Sequence, residues 1–405
     1  MSKTVLLGIS SGIAAYKVVE LAKNLQQAGV RVRVIMTKHA AVMIDPLQFT
    51  KVTGEPVFTE LYGTDFNYEK ILKEKHVEHI DLADEADLFV VVPATANVVA
   101  KLANGIADDL LTTTALAVTA PTILCPSMNV HMWSNPAVQQ NIAKLKSFGY
   151  QIIEPATGPL ACGYEGKGRL ENIDITQKEI LQALEKNQQL IGKKIIITAG
   201  GTQEKIDEVR YIMNKSSGKM GVALAEACHQ RGADVLLLRA ANSVEPRYQI
   251  PQKTFTSADE LLTLIEESAP SYDVIFHAAA VADFQPEKTF RGKLDSNKKI
   301  HLTLTPRPKI LDQIKKMNPK ITVIAFKAEH EPNEKKLVAL AQKRLAISGA
   351  DAIIANDISR TDRGFQADTN EVFIISKNKK THRISLNSKK IVAEQILDHL
   401  HRVII

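Results

Sequence analysis

Cysteine is scarce, with three residues among 405, at Cys125, Cys162 and Cys228. They are odd in number and far apart, which argues against a disulfide framework. No CxxC and no His/Cys cluster suggests zinc, so a reducing, cytoplasmic setting is expected. Aromatic residues make up 5% of the chain, and the 51 Lys and Arg are dispersed rather than run together. Without a basic tract interleaved with aromatics, the formal charge of +6 fits anionic small ligands and gives no reason to expect nucleic acid. Long apolar runs are missing too. The opening "MSKTVLLGISSGIAAYK" is broken by Ser and Gly, is too short to span a bilayer and has no signal-like cleavage site. No membrane partner is expected. With 45% hydrophobic and 24% charged residues, neither disorder nor a membrane protein is indicated, and the length suggests two domains.

What is present is an alternation of short apolar strands and helical patterns. "TVLLGIS" (4–10), "RVRVIMT" (31–37), "DLFVVVPAT" (87–95), "PTILCPSMN" (121–129) and "QIIEP" (151–155) read as strands, with a helix expected from Gly12 to about Ala28. A second series follows: "KKIIITAGG" (193–201), "ADVLLLRA" (233–240), "DVIFHAAA" (273–280), "TVIAFKAE" (322–329) and "DAIIAND" (351–357). "EVFIIS" (371–376) and "HRISL" (382–386) read as an antiparallel hairpin at its edge. Continuous Val/Ile runs separated by helices predict parallel sheets covered on both faces. The expected fold is therefore α/β, two doubly wound Rossmann-like domains over 1–190 and 191–405.

In the first half, "GISSGIAAYK" (8–17) joins a strand to a helix, where a glycine turn can set a phosphate on the helix N-terminus or can be an ordinary tight turn. It is not GxGxxG, and "MTKH" (36–39) places no acid for an adenosine ribose, which argues against NAD. Ser10, Ser11 and Thr37 can donate hydroxyls to a phosphate. Pro93, Thr95 and Asn97 leave a strand at its carboxyl end, where open α/β sheets bind ligands, although Thr95 also serves as a plain helix cap. Asn129 in "PSMNVHMW" either holds a turn or binds a carboxylate, and His79 stands alone in "VEHIDL". "GPLACGYEGKGRL" (158–170) carries Cys162 with Lys167 and Arg169 just downstream. Its Gly and Pro content predicts a mobile loop without regular structure, and the thiol is either incidental or delivered by a lid.

Taken in order, GxSxGIAAYK, EHIxL, PATAN, PxMNxxMW and ACGxxGxGR resemble the flavin-dependent cysteine decarboxylases, specifically phosphopantothenoylcysteine decarboxylase, over about residues 1–180. The resemblance implies a flavodoxin-like domain with FMN near Ser10, Ser11, Gly12, Thr37, Pro93, Thr95 and Asn97. It implies His79 as the active-site histidine, Asn129 as the holder of the departing carboxylate and Cys162 as the proton donor. The chemistry is coherent. An amidocysteine has no electron sink beside its carboxylate, oxidation of its thiol supplies one, and reduced flavin then returns its electrons while an acid on a closing lid protonates the carbon.

The second half opens on "NKSSGKMG" (214–221), which lacks the upstream glycine and following Ser/Thr of a Walker A loop. Ser216 and Ser217 still make a helix start suited to anions. NxSSGKMG, AAVADF (279–284), Lys293 ten residues after Asp283, RPKIL (307–311) and AFKAE (325–329) resemble phosphopantothenate–cysteine ligase over 191–405. That family implies CTP and Mg2+, with 4'-phosphopantothenate and cysteine as the other substrates, joined through an acyl-cytidylate. Asn214 matches the residue that stabilises this intermediate and Lys293 a lysine of the conversion step. Ala279, Asp283, Pro308, Lys309, Ile310, Leu311, Phe326 and Lys343 fall on nucleotide positions. The chain departs from the family at "KLDSNKK" (293–299), at Ile347, where a second lysine is expected, and at Lys215. The whole chain thus resembles the bacterial bifunctional enzymes of coenzyme A synthesis. These imply a homo-oligomer in which decarboxylase trimers share flavin sites, four trimers form a dodecamer and ligase domains pair. A regulatory flavin-binding protein without catalysis is the alternative, although such proteins usually lose part of the His/Asn/Cys set that stands complete here.

Overall fold

The structure is a computed structural model that describes residues 3–62, 68–74, 77–160, 163–186, 188–297, 299–377 and 381–405. The chain divides into two compact units, Met1–Gln188 and Gln189–Ile405, each described by itself.

Unit 1 is built on β1 (Thr4–Ile9), β2 (Arg31–Met36), β3 (Val57–Phe58), β4 (Leu88–Ala94), β5 (Thr122–Pro126) and β6 (Gln151–Ile152). They form one parallel sheet in the order β3-β2-β1-β4-β5-β6. Without the two-residue β3, this is the flavodoxin-like order. Alternate residues of β1 enter two different cores. Val5, Leu7 and Ile9 pack with Leu21 and Leu25 of the helix Val18–Gln27, and Leu6 packs with Val98 and Leu102 on the opposite face. That double burial is why the strands read as unbroken apolar runs. The helix expected from Gly12 starts instead as a 3-10 turn, Ile13–Lys17, and becomes α-helical at Val18.

The glycine-rich stretch corrects a second expectation. Ala156–Pro159 (β7) and Glu165–Arg169 (β8) pair as an antiparallel ribbon, so most of it has regular structure. Cys162 lies outside the described residues.

Unit 2 contains β9 (Lys194–Ala199), β10 (Gln203–Lys205), β11 (Tyr211–Met213), β12 (Asp234–Ala240), β13 (Gln252–Phe255), β14 (Val274–His277), β15 (Phe284–Pro286), β16 (Leu304–Pro306), β17 (Thr322–Glu329), β18 (Ala352–Asp357), β19 (Thr369–Ser376) and β20 (Thr381–Ser388). The main sheet runs β13-β12-β9-β14-β17-β18-β19-β20, parallel as far as β18, with the antiparallel pair β19/β20 at its edge, as the two short apolar runs predicted. β10/β11 and β15/β16 are separate ribbons. In both units the chain reverses its winding direction beside the central strand, between β1 and β4 and between β9 and β14. Open α/β sheets place their ligand crevice above such a point.

Candidate functional sites

The first cleft, about 610 Å³, opens above the carboxyl ends of β1, β4 and β5. Ser11, Gly12, Thr95 and Asn129 line it, together with Met128, Met132 and Arg169. Local hydrogen bonds explain the geometry. Ser10 is buried, and its hydroxyl donates to Pro93 O at 2.7 Å while accepting from Thr95 N at 3.0 Å. Ser10 and Pro93 therefore fix the ends of β1 and β4 behind the wall and leave Ser11 at the surface. Asn129 Oδ1 accepts from His131 N at 2.8 Å and starts the short helix Val130–Ser134. Met128 N donates to Gly168 O at 2.9 Å, so β8 of the glycine ribbon is bonded to the turn that carries Asn129.

Three sequence candidates stand elsewhere. Thr37 caps Lys38–Met43 by accepting from Ala40 N at 3.2 Å, Asn97 is exposed on Ala96–Asn104, and half-buried His79 sits on Glu78–Glu85; none of them lines this cleft. Lys17 and Tyr16 do line it and were missed, although both lie inside the quoted GISSGIAAYK.

The residues present fit a flavin phosphate and ring. No side chain caps the 3-10 turn at Ile13–Lys17, whose first residues line the cleft beside Lys17. Its uncapped N–H groups suit an anion, and Met128, Met132 and Leu170 offer an apolar wall to a planar ring.

The second cleft, about 290 Å³, lies above β9, β14 and β17. Asn214, Ala279, Asp283, Pro308 to Leu311 and Phe326 line it, so most of the positions matched to a nucleotide converge on one cleft. The loop after β14 is held tightly. Ala280 N donates to Gly200 O at 2.8 Å and Ala282 N to Thr202 Oγ1 at 2.9 Å. Asn214 Nδ2 donates to Ala280 O and Val281 O, both at 3.2 Å. Asp283 is ion-paired with Lys309. Lys343 and Lys293 are exposed and do not line the cleft. Arg344, one position on, takes that place and pairs with Asp312 at 2.6 Å. Lys293 belongs to a segment anchored on buried Asp207, whose carboxylate accepts from Leu294 N at 3.0 Å. That bond, two more backbone N–H groups and the Arg210 guanidinium hold Asp207 well below the usual carboxylate range.

Sequence reading also missed His277, Asn356, Asn370 and Lys389 in this cleft. The Thr198 hydroxyl accepts from Ala279 N at 3.0 Å and shares a hydrogen bond with His277 Nδ1 at 3.1 Å, which fixes the ring. Burial, with Arg344 nearby, pushes the His277 pKa down to about 4 from 6.5. Between these values the unfolded chain binds a proton that the folded unit refuses. Stability is full above pH 6.5 and falls as the pH drops toward 4, by up to about 3 kcal/mol. Denaturant unfolding of His277→Gln at pH 7 and pH 4.5 should lose this part of the slope. Equal slopes in the two proteins would contradict the assignment.

Among the described residues no group of three or more His, Cys, Asp or Glu is placed to hold a metal ion, and no helix is long and apolar enough to cross a membrane.

Comparison with known proteins covers both units. The family described as Flavoprotein matches residues 1–185, and the DNA/pantothenate metabolism flavoprotein C-terminal domain matches 190–404. The chain is 41% identical to the coenzyme A biosynthesis bifunctional protein CoaBC of Bacillus subtilis, over 98% of this chain and 97% of that one. It is 36% identical to the protein of the same name from Thermococcus kodakarensis, over 100% and 96%. A crystal structure of the C-terminal domain of a CoaBC protein aligns with a TM-score of 0.45 at 32% identity, over 53% of this chain and 97% of that one.

Proposed function

Since the chain belongs to the family of coenzyme A biosynthesis bifunctional proteins and carries their decarboxylase and ligase activities, we propose that its two clefts divide those reactions between the two units. One observation carries this reading. Residues drawn from separate motifs meet in two clefts, Ser11, Thr95 and Asn129 in one and Asn214, Asp283 and Phe326 in the other. The alternative of a flavin-binding protein without catalysis gives way to the family membership.

In unit 2, CTP lies along the wall of Ala279, Asp283, Pro308 to Leu311 and Phe326. The 4'-phosphopantothenate carboxylate attacks the α-phosphate and pyrophosphate leaves. Cysteine's amine then displaces CMP from the acyl-cytidylate. Asn214 keeps the loop 280–281 in register for that intermediate, and Lys309, which lines the cleft, neutralises charge as it develops. Mg2+ would supply positive charge to the triphosphate, and no cluster of His, Cys, Asp or Glu among the described residues would hold it without the nucleotide.

In unit 1, FMN would take two electrons from the substrate thiol, which gives the departing carboxylate its electron sink, and would return them once CO2 has left, so that the net reaction is redox-neutral. Ser11 and Gly12 hold its phosphate, and the Met128–Met132 wall keeps water from the reacting carbon. Asn129 orients the carboxylate that leaves. Lys17 and Arg169 draw in the phosphorylated, anionic substrate. Cys162 Sγ–H returns a proton to the carbon, and His79, absent from this chain's own cleft, serves the cleft of a neighbouring copy. Exposed Ile13, Tyr16, Tyr68 and Leu72 suit burial in such a homo-oligomer of trimers, with ligase units pairing between trimers.

The visible absorption spectrum of the purified protein, before and after loading with FMN and removal of the unbound excess, tests the flavin site. A bound-flavin spectrum is expected, and Cys162→Ser should then stall after CO2 release. No flavin signal after loading would contradict the assignment of unit 1.

A further inference from the structure

The ligase cleft has lining residues to which the ligation chemistry gives no task. The starts of β19 and of the helix Lys389–Ile404 lie side by side there. Thr369 and Asn370 pair with Ser388 and Asn387, and Lys389 N donates to Asp368 O at 2.9 Å. Asn370 and Lys389 thereby meet in the cleft, 3% and 5% exposed.

Both are incompletely used. Asn370 Oδ1 is buried with no hydrogen-bond partner. An orphan acceptor of this kind costs about 1–3 kcal/mol, which a ligand donor recovers. Lys389 Nζ donates to Gly364 O at 2.8 Å and Phe365 O at 3.3 Å, which leaves one of the three N–H groups of an ammonium. No ion pair neutralises it among the described residues, and burial pushes its pKa down to about 8. A buried cation and a buried acceptor thus line one cleft, and together they complement a ligand that joins an anion to an N–H donor across a short span. Of the ligase's three substrates, the α-amino acid joins a carboxylate to an amine through a single carbon. The nucleotide positions line the same cleft and include neither residue of the pair.

We propose that Asn370 and Lys389 form the subsite for the α-amino acid, with Lys389 holding its carboxylate and Asn370 its amine while the acyl-nucleotide forms. This rests on the ligase reading and specifies where its third substrate binds. It gives the pair a positioning role in the second half-reaction and none in the first.

The two half-reactions separate the possibilities. With CTP, Mg2+ and 4'-phosphopantothenate alone, the full chain should release pyrophosphate in a single turnover, and amide formation is then followed against cysteine concentration. Asn370→Ala removes no side-chain hydrogen bond within the protein, so it should fold and keep single-turnover pyrophosphate release. Its KM for cysteine should rise about tenfold, the equivalent of one lost hydrogen bond of about 1.4 kcal/mol. Lys389→Met should behave alike and Lys389→Arg should recover part of the loss. If Asn370→Ala does not fold, Asn370→Ser is put through the same comparison. An unchanged cysteine KM, or an equal loss of pyrophosphate release, would overturn the subsite; the latter would give the pair to the nucleotide or the acyl substrate. Wild-type protein that releases no pyrophosphate with CTP would overturn the ligase reading, and this subsite with it.

Discussion

Gly168→Ala is expected to abolish decarboxylation while leaving the ligase intact. A Cβ at Gly168 would stand 2.3 Å from Met128 O and 3.4 Å from the Asn129 carbonyl carbon. Both obstacles are backbone, so no side chain can swing aside. The bond from Met128 N to Gly168 O, 2.9 Å, would have to stretch or break, parting the ribbon from the turn that presents Asn129. In the role proposed for Asn129, a displacement of about 1 Å costs roughly 100-fold in rate. CO2 release from preformed phosphopantothenoylcysteine should fall by at least that factor, with CTP-dependent pyrophosphate release unchanged. Full decarboxylase activity in this variant would mean that the ribbon and Asn129 do not act together.

Gly221→Ala should produce the mirror image. Its Cβ would lie 2.6 Å from Ala199 Cβ and 2.8 Å from Thr198 O, so the helix Lys219–Gln230 must lift off β9. Overpacking of this kind costs about 1–3 kcal/mol. The functional loss should be larger than the stability loss suggests, because the displaced groups are those that shape the cleft. Thr198 anchors Ala279 and His277, and Gly218 and Lys219 line the cleft from the helix start. Amide formation should drop about 100-fold and preformed phosphopantothenoylcysteine should still be decarboxylated. Loss of both activities together would contradict the assignment of one reaction to each unit.

The sheets were legible because doubly buried strands announce themselves. "DLFVVV" and "DVIF" are apolar on both faces, and a pattern of that kind has few other uses in a chain of this composition. The glycine ribbon was not legible. Gly166 and Gly168 read as breakers, yet Gly168 stands in a strand because the Met128 backbone approaches too closely for any side chain. Helix phase explains another miss. Lys343 and Arg344 are neighbours in sequence, about 100° apart around their helix, and it is Arg344 that reaches the cleft. Asn370 and Lys389 belong to no motif at all. Strand pairing between β19 and β20 brings them together, and no local pattern records that contact.

The most direct test of the account is a single incubation of the flavin-loaded protein with 4'-phosphopantothenate, cysteine, CTP and Mg2+, with products resolved by mass spectrometry. The expected result is CMP, pyrophosphate and CO2 in equal amounts with 4'-phosphopantetheine, and no product when CTP is omitted. Accumulation of phosphopantothenoylcysteine without its decarboxylation, or decarboxylation of added phosphopantothenoylcysteine by a protein that cannot make it, would contradict the claim that one chain carries both steps.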